Sequence, residues 1–383
     1  MLCSPNYGNS IINIISSIRR FYRFAYLYPT IEKLDAALDK NYSNVVLVFI
    51  DGMGSDILRK NVKNGDFLKT HKVSDITSVF PSGGVPALCS ILSGVAPNEH
   101  GNLGRLLFFK EFGVTYDMYT KKMWKTDIPV NIGAEKTLAF EDIFADFSLS
   151  GKNRPTRRTD TFVLSDDILH TSTTQILCKT FDDICRKLSD ISRSAADTFS
   201  LVYWTGTANT IRSGGTASEE LYRELSGVSY NLQNLCKSLK DTLVIITSTG
   251  GFIDSETVDL MDYPAICDCF YMNPILESRA ASFFIKPDRL ENFTYNFSEA
   301  FGKDFLLYPK SEAVRLFGAY RPHFKTDDFI GDFIAAATGR ISLRYGSKHR
   351  PAKAFTGGIT EEEMLIPLII CSTEKAVEYE ALI

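Results

Sequence analysis

Two stretches of the chain carry groups that could act on a ligand. The first is Val45-Val46-Leu47-Val48-Phe49-Ile50-Asp51-Gly52-Met53-Gly54, an apolar run that ends on a carboxylate and glycines. Such a run reads as a strand buried on both faces of a parallel sheet. A carboxylate just past it stands where open α/β sheets place their ligands. The second is Phe80-Pro81-Ser82-Gly83-Gly84-Val85-Pro86, followed by the apolar residues 87–93. Here Ser82, Gly83 and Gly84 make a turn into a short helix, whose first N–H groups can hold an anion. A strand-end carboxylate facing a helix N-terminus is the outline of a phosphoryl-transfer site. The plainer readings are that Asp51 binds nearby N–H groups of its own turn, and that the glycines only reverse the chain.

These groups need elements to hold them. Two helices are expected at Asn9 to Tyr26 and Thr30 to Asp39, split at Tyr28-Pro29 because proline disfavours helix at the residue before it. Strands are expected at Val45–Ile50, Val73–Phe80, Phe162–Ser165, Phe199–Trp204, Leu243–Thr247, Ala281–Ile285 and Ile366–Cys371, with a hairpin over Leu106–Tyr119. Helices are expected at Ser55–Asn61 with Ser55 as cap, at Val85–Ser93, at Phe140–Phe147, around Thr174–Ile191 and over Glu219–Leu239. In the last of these Leu221, Leu225, Val228, Leu232 and Leu235 recur at helical spacing. Leu316–Phe333 is expected to hold helix and loop. Strands alternating with helices predict an α/β fold: a largely parallel sheet with helices on both faces. A smaller subdomain is expected as an insertion at about 255–350, within one domain spanning 1–383.

Composition bounds the function. The 383 residues are 44% hydrophobic and 23% charged, ordinary for a globular chain able to bury a large core. A formal net charge of −4 gives no general attraction to nucleic acid or anionic membrane, and neither is an expected partner. No apolar run reaches the roughly 18 residues of a membrane helix, and Arg19-Arg20 follows Ile11–Ile18 where a secretion signal would need small residues. The eight cysteines form no C-x-x-C pair, so reduced thiols in a cytoplasmic protein are expected, with Cys267-x-Cys269 the nearest approach to a metal pair. Lys152, Arg154, Arg157 and Arg158 form a basic stretch that reads as a solvated face rather than a phosphate contact. Asn41, Asn292 and Asn296 fit the glycosylation pattern but carry no weight without a secretion signal.

Four clusters, in order, match one family. They are Val48 through Gly54; Phe80-Pro81-Ser82 through Ser93-Gly94 with Pro97-Asn98-Glu99-His100-Gly101; Tyr203-Trp204 through Gly215; and Thr356-Gly357-Gly358-Ile359-Thr360-Glu361-Glu362-Glu363-Met364-Leu365-Ile366-Pro367. With them the chain resembles the alkaline phosphatase superfamily, in its bacterial nucleotide pyrophosphatase/phosphodiesterase-like branch. Asp262-Tyr263-Pro264, Glu277-Ser278-Arg279-Ala280 and Gly331-Asp332-Phe333 extend the likeness over most of the chain. The resemblance implies an alkaline phosphatase-like fold and a Thr or Ser nucleophile between two zinc ions held by three Asp and three His. Such a pair of metals lowers the nucleophile's pKa and steadies the leaving oxygen.

Carried over residue by residue, that machinery is nearly gone. Asp51 stands at the first ligand position. The nucleophile falls on Gly84, beside Gly83. Ala208 and Arg212 stand for an Asp and a His, Thr249-Gly250 for Asp-His, and Thr356 for the last His. None of the five histidines (His71, His100, His170, His323, His349) falls at a ligand position. One carboxylate cannot hold two zinc ions, so no metal cofactor and no catalytic residue of the family type is expected. The leading expectation is a degenerate phosphodiesterase-like pseudoenzyme that binds a small phosphorylated ligand or a protein partner. Its ligand-binding residues would be Asp51, Ser82, Gly83, Gly84, Arg212, Thr249 and Thr356. Arg212 is expected within salt-bridge reach of Asp51 or of a bound anion, since a guanidinium supplies fixed positive charge without metal. Two rivals stand beside this reading. One is a rebuilt, metal-independent hydrolase or transferase of phosphate esters, with Ser82, Cys89, Thr249 or Thr356 as nucleophile. The other is a structural subunit of a complex.

Overall fold

The computed structural model describes residues 1–150, 159–194, 196–346 and 352–374; the basic stretch Lys152–Arg158 lies outside them. Asn44–Ile50 forms the middle of a seven-stranded sheet. Across that sheet the order is Lys72–Thr77, Leu365–Ser372, Thr242–Thr247, Asn44–Ile50, Asp197–Trp204, Thr159–Ser165 and Thr174–Leu177. The last five run parallel, and Leu365–Ser372 runs antiparallel to both its neighbours. The fold class is thus α/β, with a mixed, largely parallel sheet.

Alternation along the central strand shows why it is buried throughout. Val46, Val48 and Ile50 face one core, with the helices Ser55–Asn61, Phe181–Ile191, Gly206–Gly214 and Glu219–Ser238. Val45, Leu47 and Phe49 face the other, with Ile11–Phe21, Glu32–Leu38, Gly84–Ser93 and Ile143–Ser150. Side chains two apart share a face, so one apolar run supplies both cores. In Glu219–Ser238 the Leu221, Leu225, Val228, Leu232 and Leu235 stripe is buried as its spacing requires.

The structure corrects several expected elements. Thr174–Leu177 is an edge strand, and the helix begins only at Phe181, where Thr180 accepts the Asp183 N–H at 3.1 Å. That cap and the acidic first turn Asp182-Asp183 are the true start signal. Ser55 is not a cap; Gly54 is, and the Ser55 hydroxyl donates to Asp75. The segment carrying Arg212 is a helix, Gly206–Gly214.

A second seven-stranded sheet, antiparallel throughout, packs beside the first. Its order is Phe305–Pro309, Phe333–Ala337, Ala280–Ile285, Phe270–Leu276, Leu106–Phe109, Val114–Asp117 and Lys122–Met123. It recruits strands from before residue 124 as well as from 270–337, and has apolar clusters of its own. A fully buried ion pair ties it to the first sheet. Arg279 Nε and Nη2 donate to the two Glu363 carboxylate oxygens at 2.7 and 2.8 Å, and both side chains are 0% exposed. Glu363 also accepts from the Gly358 N–H and the Thr360 hydroxyl, and Arg279 donates to the carbonyls of Ile341 and Gly339. The charges are thus paired and hydrogen-bonded on all sides, as their burial demands.

Candidate functional site

The C-terminal ends of neighbouring parallel strands deliver Asp51, Thr249 and the helix bearing Arg212 to one place. Ile50 pairs with Trp204 and Phe49 with Thr247, so the residues just beyond converge. Asp51 is 3% exposed. One of its oxygens accepts the Thr249 hydroxyl; the other accepts the Tyr203 phenol at 3.3 Å. Burial, then the Asp51 charge, push the Tyr203 phenol far above its usual range, so it remains a donor. This is a closed arrangement in which the carboxylate is satisfied by two hydroxyls.

The glycine turn is locked from behind. Gly83 and Gly84 have φ of +70° and +60°, values that favour glycine. Ser82 Oγ accepts the Gly357 N–H at 3.0 Å, and Thr356 Oγ1 donates to the Ser82 carbonyl at 2.9 Å. Gly83 N–H donates to Ser78 Oγ at 3.4 Å, and Ser78 in turn donates to the Thr249 carbonyl. A Cβ on Gly250 would stand 2.7 Å from the Gly83 nitrogen. The hydroxyls of Ser82, Thr249 and Thr356 therefore hold turns together. Cys89 follows on the helix Gly84–Ser93, its thiol pushed up to about 12 by burial, far from a reactive thiolate.

Arg212 does not reach Asp51 as expected. It sits in the last turn of its helix, with its guanidinium 5.2 Å from the Phe252 ring centroid and Nη1 donating to Asn209 at 3.3 Å. The buried Phe252 ring lies against Gly52, where an added Cβ would meet it at 3.0 Å and the Ala208 Cα at 3.2 Å. The arginine stacks on that ring. Its charge is still felt by Tyr119, Tyr203 and Glu277, each of which it pulls downward in pKa.

The residues at the six implied metal positions do not fit two zinc ions. Asp51 already holds two hydroxyls, and the other positions offer a methyl group, a guanidinium, hydroxyls engaged elsewhere and a glycine. Among the described residues no three of His, Cys, Asp or Glu are grouped to hold a metal. The thiols of Cys267 and Cys269 are turned to the backbone carbonyls of Leu260 and Ala265. His100 is buried between Ser90 and the Asn102 N–H, and burial pushes it down to about 3.

Sequence reasoning missed the opposite wall, which comes from the second sheet. A Cβ on Gly84 would lie 3.3 Å from the Tyr119 hydroxyl and 3.7 Å from Glu277 Oε1. Glu277 sits in the hairpin turn that exchanges hydrogen bonds with Ala280, and its Oε1 accepts the Arg105 N–H at 2.8 Å. Burial pushes its carboxyl up to about 7, with Asp117 adding and Arg105 and Arg212 opposing. The preceding Leu276 has φ +75°, a strained value for a branched side chain. Asp117 accepts the N–H groups of Tyr119 and Thr120 with one oxygen, and Arg105 Nε and Nη2 with the other at 3.0 and 2.7 Å. In sequence Glu277 stood out only within the matched Glu277-Ser278-Arg279-Ala280; Tyr119 gave no signal.

Comparison with known proteins agrees with this architecture. The family profile described as type I phosphodiesterase / nucleotide pyrophosphatase matches residues 45–358. Comparison with curated proteins finds no match in sequence. Murine ectonucleotide pyrophosphatase/phosphodiesterase 5, as an inactive variant in complex with AMP, superposes with a TM-score of 0.64 at 17% identity, over 85% of this chain and 87% of that one. The human counterpart gives 0.63 at 16% identity, over 85% and 87%. Phosphonoacetate hydrolase from Sinorhizobium meliloti 1021, in complex with phosphonoformate, gives 0.60 at 15%, over 87% and 90%. At such identities these structures speak for the fold.

Proposed function

Because the chain belongs to the type I phosphodiesterase / nucleotide pyrophosphatase family of the alkaline phosphatase superfamily, we propose that it has turned the family cleft from hydrolysis to binding. On this reading it is a pseudoenzyme that holds the phosphoryl end of a small phosphate monoester. The observation that carries the reading is Asp51: the one carboxylate left at the implied metal positions has each oxygen on a hydroxyl, Thr249 and Tyr203. The likeness to a structure that holds AMP, a phosphate monoester, supports the ligand class. The first N–H groups of Gly84–Ser93 have no partners within the helix and suit an anion. A cytoplasmic setting belongs to the same proposal and fits eight free cysteines.

The rival of a rebuilt, metal-independent hydrolase has one feature in its favour, the Glu277 carboxyl titrating near neutrality above Gly84. It lacks a nucleophile, since Ser82, Thr249 and Thr356 spend their hydroxyls on the fold. The deciding experiment measures the zinc content of the purified chain and its hydrolysis of a p-nitrophenyl phosphodiester. The expected result is no bound zinc at this site and no turnover. Zinc bound there, with turnover lost in Asp51→Ala, would overturn the proposal. Turnover without metal would favour the rival.

A further inference from the structure

Two free cysteines, Cys236 and Cys371, meet at the rim of the core that the helix Glu219–Ser238 lays on the first sheet. We propose that they are a reversible disulfide site: a peroxide oxidises the pair, and the bond fastens the strand Leu365–Ser372 to that helix. The inference is independent of the binding reading above.

The backbone aims both side chains at one place. Cys236 lies one turn beyond Leu232 on the buried stripe of its helix, and Leu235 beside it is buried in the same cluster. Along the strand the side chains alternate. Ile366 and Leu368 belong to the opposite core and Ile370 packs against it, whereas Ile369 and Cys371 join Cys236. Cys371 stands opposite Val244 of the neighbouring strand, one residue from the end of its own. The two thiols are within hydrogen-bond reach, Cys236 donating to Cys371. Both sit at the edge of the core: Cys236 is 9% exposed and Cys371 7%, and the residues after them, Lys237 and Ser372, are exposed. Fraying of that strand end admits a small oxidant.

The shared hydrogen bond divides the roles. It favours the thiolate of Cys371, drawing that group below its usual range, and together with burial it holds Cys236 in the thiol form. The Cys371 sulfur attacks one oxygen of hydrogen peroxide. The O–O bond breaks, a sulfenic acid is left on Cys371, and the other oxygen departs as water with the Cys371 thiol proton. The Cys236 sulfur then attacks the Cys371 sulfur; the S–O bond breaks and the sulfenic oxygen leaves as a second water with the Cys236 proton. Two thiols give up two electrons, and one peroxide takes them. A thiol reductant reverses the step through a mixed disulfide. Because Leu365–Ser372 joins Lys72–Thr77 to the rest of the sheet, the bond secures two strands at once and closes a long loop of chain. Cys185 shares the cluster, its thiol pushed up to about 12 by burial, and serves as the control.

The test treats the folded full chain with hydrogen peroxide, traps the remaining thiols with an alkylating agent and maps the digest by mass spectrometry without reductant. The expected product is a linked Cys236–Cys371 peptide, with the intact mass lowered by two hydrogens and restored by dithiothreitol. Cys236→Ser and Cys371→Ser should each abolish it, and Cys185→Ser should leave it unchanged. In thermal melts the oxidised chain should unfold about 3–5 °C above the reduced one, and both single variants should lose that gap. Circular dichroism checks that each variant is folded; if Cys371→Ser is not, Cys236→Ser decides the test. A link through Cys185, a link seen only in denaturant, a link that leaves the melting temperature unchanged, or oxidation that leaves Cys371 as a sulfinic acid would each overturn the inference.

Discussion

The two walls of the cleft come from different sheets and have been treated differently. The wall at the ends of the parallel strands holds Asp51 between two hydroxyls, with Phe252 and Ala208 packed on the adjoining turn. It is satisfied from within. The wall from the antiparallel sheet holds Arg105, Asp117, Tyr119 and Glu277, and one of its carboxyls stays near its titration point. Residues that merely fill a vacated site settle into neutral hydrogen bonds and apolar contact. In the second wall Asp117 is buried and paired with a half-exposed Arg105, and Glu277 is largely buried beside them.

Both walls hang on Arg279–Glu363, so the largest effect is expected at that joint. Glu363→Ala leaves a guanidinium buried without its partner. The expected loss is about 3–5 kcal/mol of stability, measured by chemical denaturation, with both walls lost together. If the chain stays folded with an intact cleft, the walls do not depend on that joint. A smaller effect separates the walls. Glu277 has a folded-state pKa raised from 4.5 to about 7, so its favourable contribution is complete below about pH 4.5 and is lost as pH rises through about 7. Glu277→Gln should therefore raise stability at about pH 8, by about 1–2 kcal/mol, and leave it unchanged at about pH 4. Urea melts at the two pH values read this directly; equal effects at both would show that burial does not burden this carboxyl. The smallest effect is on the other side. Arg212→Ala removes a cation stacked on Phe252 and is expected to cost about 0.5–1 kcal/mol. A much larger loss in the same melts would mean that Arg212 is part of the frame.

What the sequence disclosed follows from the range of each interaction. The strand at 44–50 was legible because burial on both faces leaves an unbroken apolar run, and Glu219–Ser238 because its buried stripe recurs along one helix. Asp51 and the turn at 82–84 were legible because strand ends and glycine turns are local signals. The antiparallel sheet was not, since Leu106 pairs with Leu276 across a long stretch of chain and nothing in either segment names its partner. Gly214 and Gly215 close the helix that carries Arg212. Arg212 lies over Phe252, a residue from another turn whose presence there no local signal announces. Glu277 owes its pKa to burial beneath groups drawn from three separate segments, which no spacing encodes.

The antiparallel strand Leu365–Ser372 has a consequence for the order in which the molecule is made. It lies inside the sheet and joins Lys72–Thr77 to Thr242–Thr247. During synthesis from the N-terminus, the turn at 82–84 emerges early but finds its anchors, Thr356 and Gly357, some 274 residues later. Contacts of such separation form late and slowly. The strand and turn that complete the cleft are therefore joined to the rest only once the chain has been made through residue 372.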